Sequence, residues 1–190
     1  MPKHWLPLLL IAGSWCVIAR SIGSAPGAPS PSSPQLELAL KTDRDTYRLS
    51  DTLHLETRLT NVGESNVYIW EWDLCWNPAR GLTLRIVDAQ GKDVQGRILL
   101  DCVPPPPRRG DVYQFIKLAQ GNFYGRAEAF AVSDLVNGPG EYDISAFFSG
   151  SLSRKWIAQY LGKDPIGNLP LWTMDKPQLA SNRLHITVKP

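Results

Sequence analysis

The chain has 190 residues, of which 43% are hydrophobic and 20% charged, a balance typical of a globular protein and not of a disordered one. Two of its 20 Lys and Arg residues precede residue 24 and none of its 18 acidic residues does, so the remainder carries no formal net charge. A neutral domain has no electrostatic reason to bind nucleic acid or anionic lipid, which excludes nucleic acid as an expected partner.

Residues 1–23 have the pattern of a secretory signal peptide. A short basic start is followed by an uncharged apolar stretch, Trp5–Ile18, and then by small residues. The stretch is shorter than the roughly 20 residues that span a bilayer, which favours cleavage over retention as an anchor. An uncleaved leader is the main alternative, and acylation of Cys16 is a weaker one because Trp15 fits such a cleavage site poorly. We therefore expect a secreted or cell-envelope protein that contacts the membrane only through a retained leader.

Residues 24–34 form a second segment of distinct composition. They are rich in Pro, Ser, Ala and Gly and contain neither a charge nor a large apolar side chain. Such a segment cannot pack, so we expect a flexible spacer. Residues 35–190 then form the one folded domain that a chain of this length allows.

Apolar and polar residues alternate with a period of two in five segments of this domain, as in strands with one buried and one wet face. Their apolar positions are Leu36, Leu38 and Leu40; Leu53, Leu55 and Leu59; Leu82, Leu84 and Ile86; Tyr142, Ile144, Ala146 and Phe148; and Leu184, Ile186 and Val188. Further strands are predicted over 66–72, 112–118 and 123–132, and only 153–161 has a helical pattern. The predicted fold class is all-β: an antiparallel immunoglobulin-like β-sandwich of about seven to nine strands, with a long loop and a short helix before the last strand.

Tyr142 favours the immunoglobulin-like version of the sandwich. It follows the turn Gly140–Glu141 at the start of a late strand. A tyrosine corner occupies that place, its hydroxyl hydrogen bonded to an upstream backbone group. The alternative is an ordinary inward core residue.

Two cysteines, Cys75 and Cys102, remain when Cys16 leaves with the leader. An even number in an exported protein predicts a disulfide, which would stabilise the fold by roughly 3 kcal/mol. A zinc site is disfavoured because no histidine lies nearby in the sequence and two thiolates do not complete a tetrahedral site. Two free buried thiols are the remaining alternative.

The folded part also holds two tryptophans, Trp70 and Trp72, on the same face of one predicted strand. If that face is exposed, they form a platform for sugar rings or an apolar peptide. If the long segment 150–181 covers them, they belong to the core. Coverage is the favoured interpretation, because that segment brings Trp156 and Trp172, which need burial themselves.

A stiff polyproline stretch, Pro104–Pro107, ends in two arginines, Arg108 and Arg109. In an exported chain this composition favours a rigid loop over a ligand for an SH3 domain. Sandwich domains commonly recognise partners through loops. The predicted partner surface therefore consists of Trp70, Trp72, Pro104, Pro107, Arg108, Arg109, Trp156 and Trp172.

Three segments carry short motifs in common with other domains: 41–61 (KTDRDTYRLSDTLHLETRLTN), 82–94 (LTLRIVDAQGKDV) and 139–146 (PGEYDISA). Together they resemble bacterial immunoglobulin-like domains of the BsuPI type, a family named for an intracellular proteinase inhibitor. The resemblance implies the sandwich fold and, much more weakly, inhibition of a protease. Both cysteines, the proline stretch and segment 150–181 depart from the family pattern.

No residues in the sequence predict a catalytic, cofactor or metal site. The two histidines of the folded part, His54 and His185, take outward positions on alternating strands, and the motifs of serine hydrolases and nucleotide-binding proteins are absent. Asp43, Asp45 and Asp51 lie together in the sequence, but their spacing is not that of a calcium loop and aspartate is common in turns.

We therefore expect an exported, non-enzymatic domain that binds an unknown protein or glycan partner or organises the cell envelope. Two alternatives follow from the same residues. One is a proteinase inhibitor of the BsuPI type that presents Arg108 and Arg109, and the other is a carbohydrate-binding module that uses Trp70 and Trp72.

Overall fold

A computed structural model describes residues 35–77, 81–94 and 108–190. The predicted leader (1–23), the spacer (24–34) and the residues Cys102, Pro104 and Pro107 lie outside the described residues. Predictions about them are therefore not addressed by the structure.

The described residues form ten strands joined by turns and short helical pieces. The strands are β1 (Leu36–Thr42), β2 (Thr46–Arg48), β3 (Thr52–Asn61), β4 (Val67–Trp70), β5 (Gly81–Asp88), β6 (Phe115–Leu118), β7 (Phe123–Ala131), β8 (Gly140–Ser149), β9 (Leu179–Ala180) and β10 (Leu184–Lys189). The helices are α1 (Val132–Leu135), α2 (Arg154–Trp156) with its π-helical continuation Ile157–Leu161, and three 3-10 turns, Glu71–Leu74, Val112–Gln114 and Ile166–Asn168. Within these ranges no helix is long and apolar enough to cross a membrane.

Two sheets make up the body of the domain. The first has the order β1-β3-β7, and the second has the order β2-β10-β8-β5, with β9 also paired to β8. A separate pair is formed by β4 and β6. Every strand pair is antiparallel except β2 with β10. This architecture confirms the predicted all-β immunoglobulin-like sandwich.

The core lies between the two sheets and is formed by the apolar positions of the alternating segments. All of them are buried except Leu184, which is half-buried. Strand register brings them together: Leu38 lies opposite Leu59 in the first sheet, and Ile86 lies opposite Ile144 in the second. Burial of each such side chain contributes about 1.5–3 kcal/mol, so the period-two pattern fixes which face of each strand points inward.

Two predicted strands are shorter in the structure than in the sequence analysis. The strand predicted over 66–72 ends at Trp70, because Glu71–Leu74 turns into a 3-10 helix. The first residues of the segment 112–118 also form a 3-10 turn. The helix predicted over 153–161 is present, and the Ser153 hydroxyl accepts the Trp156 N–H at 3.1 Å to cap its start.

Tyr142 combines both of its predicted roles. Its side chain is buried in the core, and its hydroxyl donates a hydrogen bond to the Gly138 carbonyl at 2.9 Å. The hydroxyl thus ties the start of β8 to the turn before it, which is the geometry of a tyrosine corner.

Asn61, the last residue of β3, connects three backbone segments. Its Nδ2 donates to the carbonyls of Ser65 at 2.8 Å and Leu118 at 2.9 Å, and its Oδ1 accepts the Gly63 N–H at 3.0 Å. The side chain is fully buried, and its bonds to Leu118 and Gly63 satisfy buried backbone groups.

Asn182 connects the two sheets. It lies in the short connection between β9 and β10, and its side-chain amide accepts the Leu40 N–H at 2.8 Å and donates to the Leu40 carbonyl at 3.0 Å. The Asn182 side chain therefore makes the two backbone hydrogen bonds to β1 that a residue of a neighbouring strand would make.

Candidate functional site

Segment 150–181 is fixed to the sandwich through backbone contacts. The Trp172 N–H donates to the Tyr68 carbonyl at 2.8 Å, and the Tyr68 N–H donates to the Pro170 carbonyl at 3.0 Å. Gly150 allows a close approach, since a Cβ there would lie 2.6 Å from the Trp172 carbonyl oxygen. The Met174 N–H bonds the Leu152 carbonyl at 3.0 Å. The segment therefore packs along β4 as a fixed part of the domain.

Beneath this segment lies a second apolar core. Its buried members are Trp70, Phe115, Leu152, Ile157, Leu161, Ile166 and Leu171. Trp70 is only 5% exposed and Trp172 only 4%, and Trp72 is half-buried. The predicted partner surface is therefore wrong for Trp70, which is buried in this second core, and for Trp172, which is buried in the main core between the sheets. The favoured interpretation, that segment 150–181 covers this face, is confirmed for Trp70. The alternative, a Trp70–Trp72 platform, is wrong, because Trp70 is buried and the two residues belong to different elements.

Some aromatic side chains above this core stay accessible. The Trp156 ring packs against Trp70 with centroids 6.5 Å apart and against Tyr160 with centroids 5.1 Å apart. Trp156 is half-buried, whereas Tyr160 is 51% exposed. An aromatic column thus runs from the second core to the surface.

The two predicted arginines lie in a turn that contacts the end of the helix carrying Trp156 and Tyr160. Both are exposed, and the turn that carries them is fixed: Gln114 Oε1 accepts the Arg108 N–H at 3.1 Å, and Gln114 Nε2 donates to the Arg108 carbonyl at 2.7 Å. The Gly110 N–H bonds the Leu161 carbonyl at 3.0 Å, which places the turn against the end of the helix.

Tyr113 completes this part of the surface and is 91% exposed. Asp111 accepts the Tyr113 N–H at 3.0 Å and so fixes the backbone from which the ring projects. We use the name loop-end surface for Arg108, Arg109, Tyr113, Trp156 and Tyr160.

The loop-end surface is basic as well as aromatic. Residues 108–114 and 153–168 carry Arg108, Arg109, Arg154, Lys155 and Lys163, against the two acidic residues Asp111 and Asp164. The two segments that carry the loop-end surface therefore hold five basic and two acidic residues, in a domain with no formal net charge.

Sequence reasoning missed Tyr113 and the exposure of Tyr160. A signal for Tyr160 existed, since it follows Trp156 by four residues and the two therefore share one helix face. Tyr113 lies in a short polar turn, and its sequence context carried no signal for exposure.

Asp43 and Asp51, near the start of the domain, accept hydrogen bonds from residues close to them in the sequence. Asp43 Oδ1 accepts hydrogen bonds from the Tyr47 hydroxyl at 2.7 Å and the His54 N–H at 3.1 Å. Burial raises the pKa of Asp43, but these hydrogen bonds outweigh it and the net effect lowers that pKa. Asp51 accepts the Arg48 N–H at 2.9 Å. Across the described ranges, no three His, Cys, Asp or Glu side chains are grouped so that they could hold a metal ion.

The remaining predicted residues are only partly covered by the structure. Cys75 follows the 3-10 turn Glu71–Leu74, whereas Cys102 lies outside the described residues, so their disulfide stays a prediction. His54 and His185 are both exposed, as predicted, and His185 Nδ1 lies 3.0 Å from Asp143 Oδ1.

No family model matches the chain, and no curated protein matches it. Similar solved structures include the CARDB domain of the PF1109 protein from Pyrococcus furiosus, crystallised with di-metal ions, at 11% identity, 83% coverage of this chain, 90% of that one and a TM-score of 0.38. The sporulation control protein Spo0M from Bacillus subtilis is 6% identical, with 82% and 49% coverage and a TM-score of 0.41. The β-glucosidase EmGH1 from Erythrobacter marinus is 14% identical, with 82% and 16% coverage and a TM-score of 0.38. Likenesses this weak carry no argument, so the assignment of the fold rests on the sheets described above.

Proposed function

We propose that this chain is an exported, non-enzymatic binding domain that recognises an acidic protein partner through the loop-end surface. The observation that carries the proposal is the exposure of Tyr113 and Tyr160 beside two exposed arginines on a fixed backbone. Trp, Tyr and Arg are the residue types that dominate the energetics of protein interfaces.

The way this surface is built supports recognition by a preformed site. Gln114 holds both backbone groups of Arg108, and Gly110 fixes the turn to the helix, so little ordering entropy would be lost on binding. The excess of basic residues favours an acidic partner and predicts an association that weakens with salt. Tyr113, at 91% exposure, buries almost none of its side chain in the domain.

Site-specific photo-crosslinking tests the proposal. Benzoylphenylalanine replaces Tyr113 in the full chain, produced in the cell that normally makes it, and a matched variant carries the same group at Phe123, which is 53% exposed on β7. The expected result is a discrete, protease-sensitive adduct from position 113 and none from position 123. Arg109→Ala and 0.5 M salt should each lower its yield severalfold.

Three results would contradict this function. They are no adduct at position 113, equal adducts at both positions, or a yield that salt and Arg109→Ala leave unchanged. Once the partner is identified, Tyr113→Ala should weaken binding to the purified domain by about tenfold, an effect typical of a central interface residue.

Inhibition of a trypsin-like protease is the second candidate, favoured by the exposed side chains of Arg108 and Arg109. The hydrogen bonds from Gln114 oppose it, because an inhibitor's scissile carbonyl has to be free for the oxyanion hole of the protease. A panel of serine proteases assayed with the full chain and with Arg108→Ala decides the question. Inhibition at micromolar concentration that depends on Arg108 would favour this candidate, and its absence would exclude it.

A further inference from the structure

A polar groove lies on the outer face of the second sheet, away from the loop-end surface residues. Two adjoining depressions, of about 490 Å³ and 280 Å³, are both lined by Arg85 and Val87 of β5, by Asp143 of β8 and by Arg183, which precedes β10. Because the two depressions share these residues, they form one groove, which we name the sheet groove. Its volume is within the range of small-ligand sites, about 300–1,000 Å³.

Strand register arranges the lining side chains in rows across the sheet. Asp143 lies directly opposite Val87 on one side and His185 on the other, and Arg85 lies opposite Ser145. Phe147 follows two residues further along β8 and lines the far end. At about 3.4 Å per residue, the floor from Asp143 to Phe147 is about 14 Å long. This length suits a short oligomeric ligand.

Ion pairs hold the two arginines of the sheet groove in place, and His185 contacts the same carboxylate as Arg183. Arg85 Nε lies 2.8 Å from Asp93 Oδ1, Arg183 Nη1 lies 3.4 Å from Asp143 Oδ2, and His185 Nδ1 lies 3.0 Å from Asp143 Oδ1. The Arg85 and Arg183 side chains are 56% and 72% exposed. In each guanidinium group one nitrogen is paired with a carboxylate, and the other N–H groups can donate hydrogen bonds to a ligand.

The charges in the groove do not favour an anionic ligand. Two arginines face four carboxylates, those of Asp88, Asp93, Glu141 and Asp143. Asp88 Oδ1 is occupied by the backbone N–H groups of Gln90 and Lys92, as in an Asx turn. Engaged carboxylates keep lone pairs that accept hydrogen bonds, so the groove offers both donors and acceptors at fixed positions without unbalanced positive charge.

We propose that the sheet groove binds a neutral oligosaccharide. Sugar hydroxyls donate and accept hydrogen bonds at once, which matches a floor of paired arginine, carboxylate and imidazole groups. The half-buried Phe147 ring offers an aromatic surface for the apolar face of a sugar ring at one end. This site is new in position, since it uses none of the tryptophans that the sequence suggested for sugar binding.

Nuclear magnetic resonance titration of the full chain tests the proposal, with cellopentaose, chitopentaose and maltopentaose as neutral probes and trigalacturonic acid as an anionic one. The expected result is saturable binding of at least one neutral probe, with shifts confined to the outer faces of β5, β8 and β10. The uronic acid should bind at least tenfold more weakly.

Paired variants separate the groove from the rest of the surface. Asp143→Asn, Arg183→Ala and His185→Ala should each weaken the neutral probe by about tenfold. His54→Ala, a matched exposed histidine on the opposite sheet, should leave binding unchanged, and so should Tyr113→Ala in the loop-end surface. His54→Ala controls for the loss of any exposed histidine. Tyr113→Ala shows whether sugar binding is independent of the surface proposed to bind protein.

The proposal is overturned if none of the three neutral probes binds, if their shifts map elsewhere, or if His54→Ala weakens binding as much as His185→Ala. A peptide of alternating Lys and Glu that binds the groove when the sugars do not would show that it recognises extended charged peptides instead.

Discussion

Replacing Asn61 with alanine should destabilise the domain strongly, because this buried side chain satisfies three backbone groups at once. Alanine would remove the side-chain donor from the carbonyls of Ser65 and Leu118, whereas the Gly63 N–H would keep its second acceptor, the Gln35 carbonyl at 3.2 Å. Each buried group that loses its donor costs about 1–1.5 kcal/mol at the lower end of measured values, so the expected loss from the two carbonyls is about 2–3 kcal/mol. That loss is a large share of the roughly 5–15 kcal/mol by which domains are stable.

Urea unfolding followed by tryptophan fluorescence, together with thermal melting, measures this loss. For a domain of this size 1 kcal/mol corresponds to about 2–4 °C, so the midpoint of melting should fall by about 4–12 °C. Asn168→Ala is the matched control: Asn168 is exposed and its side-chain amide donates to the exposed Asp164, so its loss should change stability by less than about 0.5 kcal/mol. A loss below about 1 kcal/mol for Asn61→Ala, or equal losses for both variants, would refute the reasoning.

Three further predictions concern stability. Tyr142→Phe should lower the free energy of unfolding by about 1 kcal/mol, because it removes the hydroxyl that bonds the Gly138 carbonyl. Tyr124 has no such hydroxyl bond in the described part of the chain, so Tyr124→Phe should cost much less in the same urea assay. Because the folded-state pKa of Asp43 is lowered, its contribution to stability is present above the unfolded pKa near 3.8 and is lost as pH falls through the folded pKa. Asp43→Asn should therefore flatten the acid limb of the curve of unfolding free energy against pH. An unchanged acid limb would contradict this prediction. The predicted Cys75–Cys102 disulfide should appear in mass spectra of the unreduced protein as a loss of about 2 Da, and its reduction should cost roughly 3 kcal/mol in urea unfolding; two alkylatable thiols would refute it.

The sheets could be predicted from the sequence because burial acts on each strand locally. Leu53, Leu55 and Leu59 alternate with polar residues, and a strand in any antiparallel sandwich would turn them to the core. The end of β4 at Trp70 could not be predicted, since the residues after it have no turn signal and bend because neighbouring elements bury Leu74.

The candidate site was less predictable, because it depends on tertiary packing. The sequence identified Arg108, Arg109 and Trp156, but how many aromatic rings segment 150–181 covers depends on its path along β4. The sheet groove required the strand order β10-β8-β5, which brings Arg85, Asp143 and Arg183 together from distant parts of the chain. The period-two pattern of a single sequence shows which face of a strand is buried, but not which strands lie next to each other in a sheet.

The side-chain amide of Asn182 affects whether another molecule can add a strand to the first sheet. The backbone of Leu40 on β1 is an attachment point where a foreign strand could extend the first sheet, and the asparagine occupies both of its hydrogen-bonding groups. While Asn182 holds these two groups, another strand cannot pair with β1 at Leu40 without first breaking both hydrogen bonds.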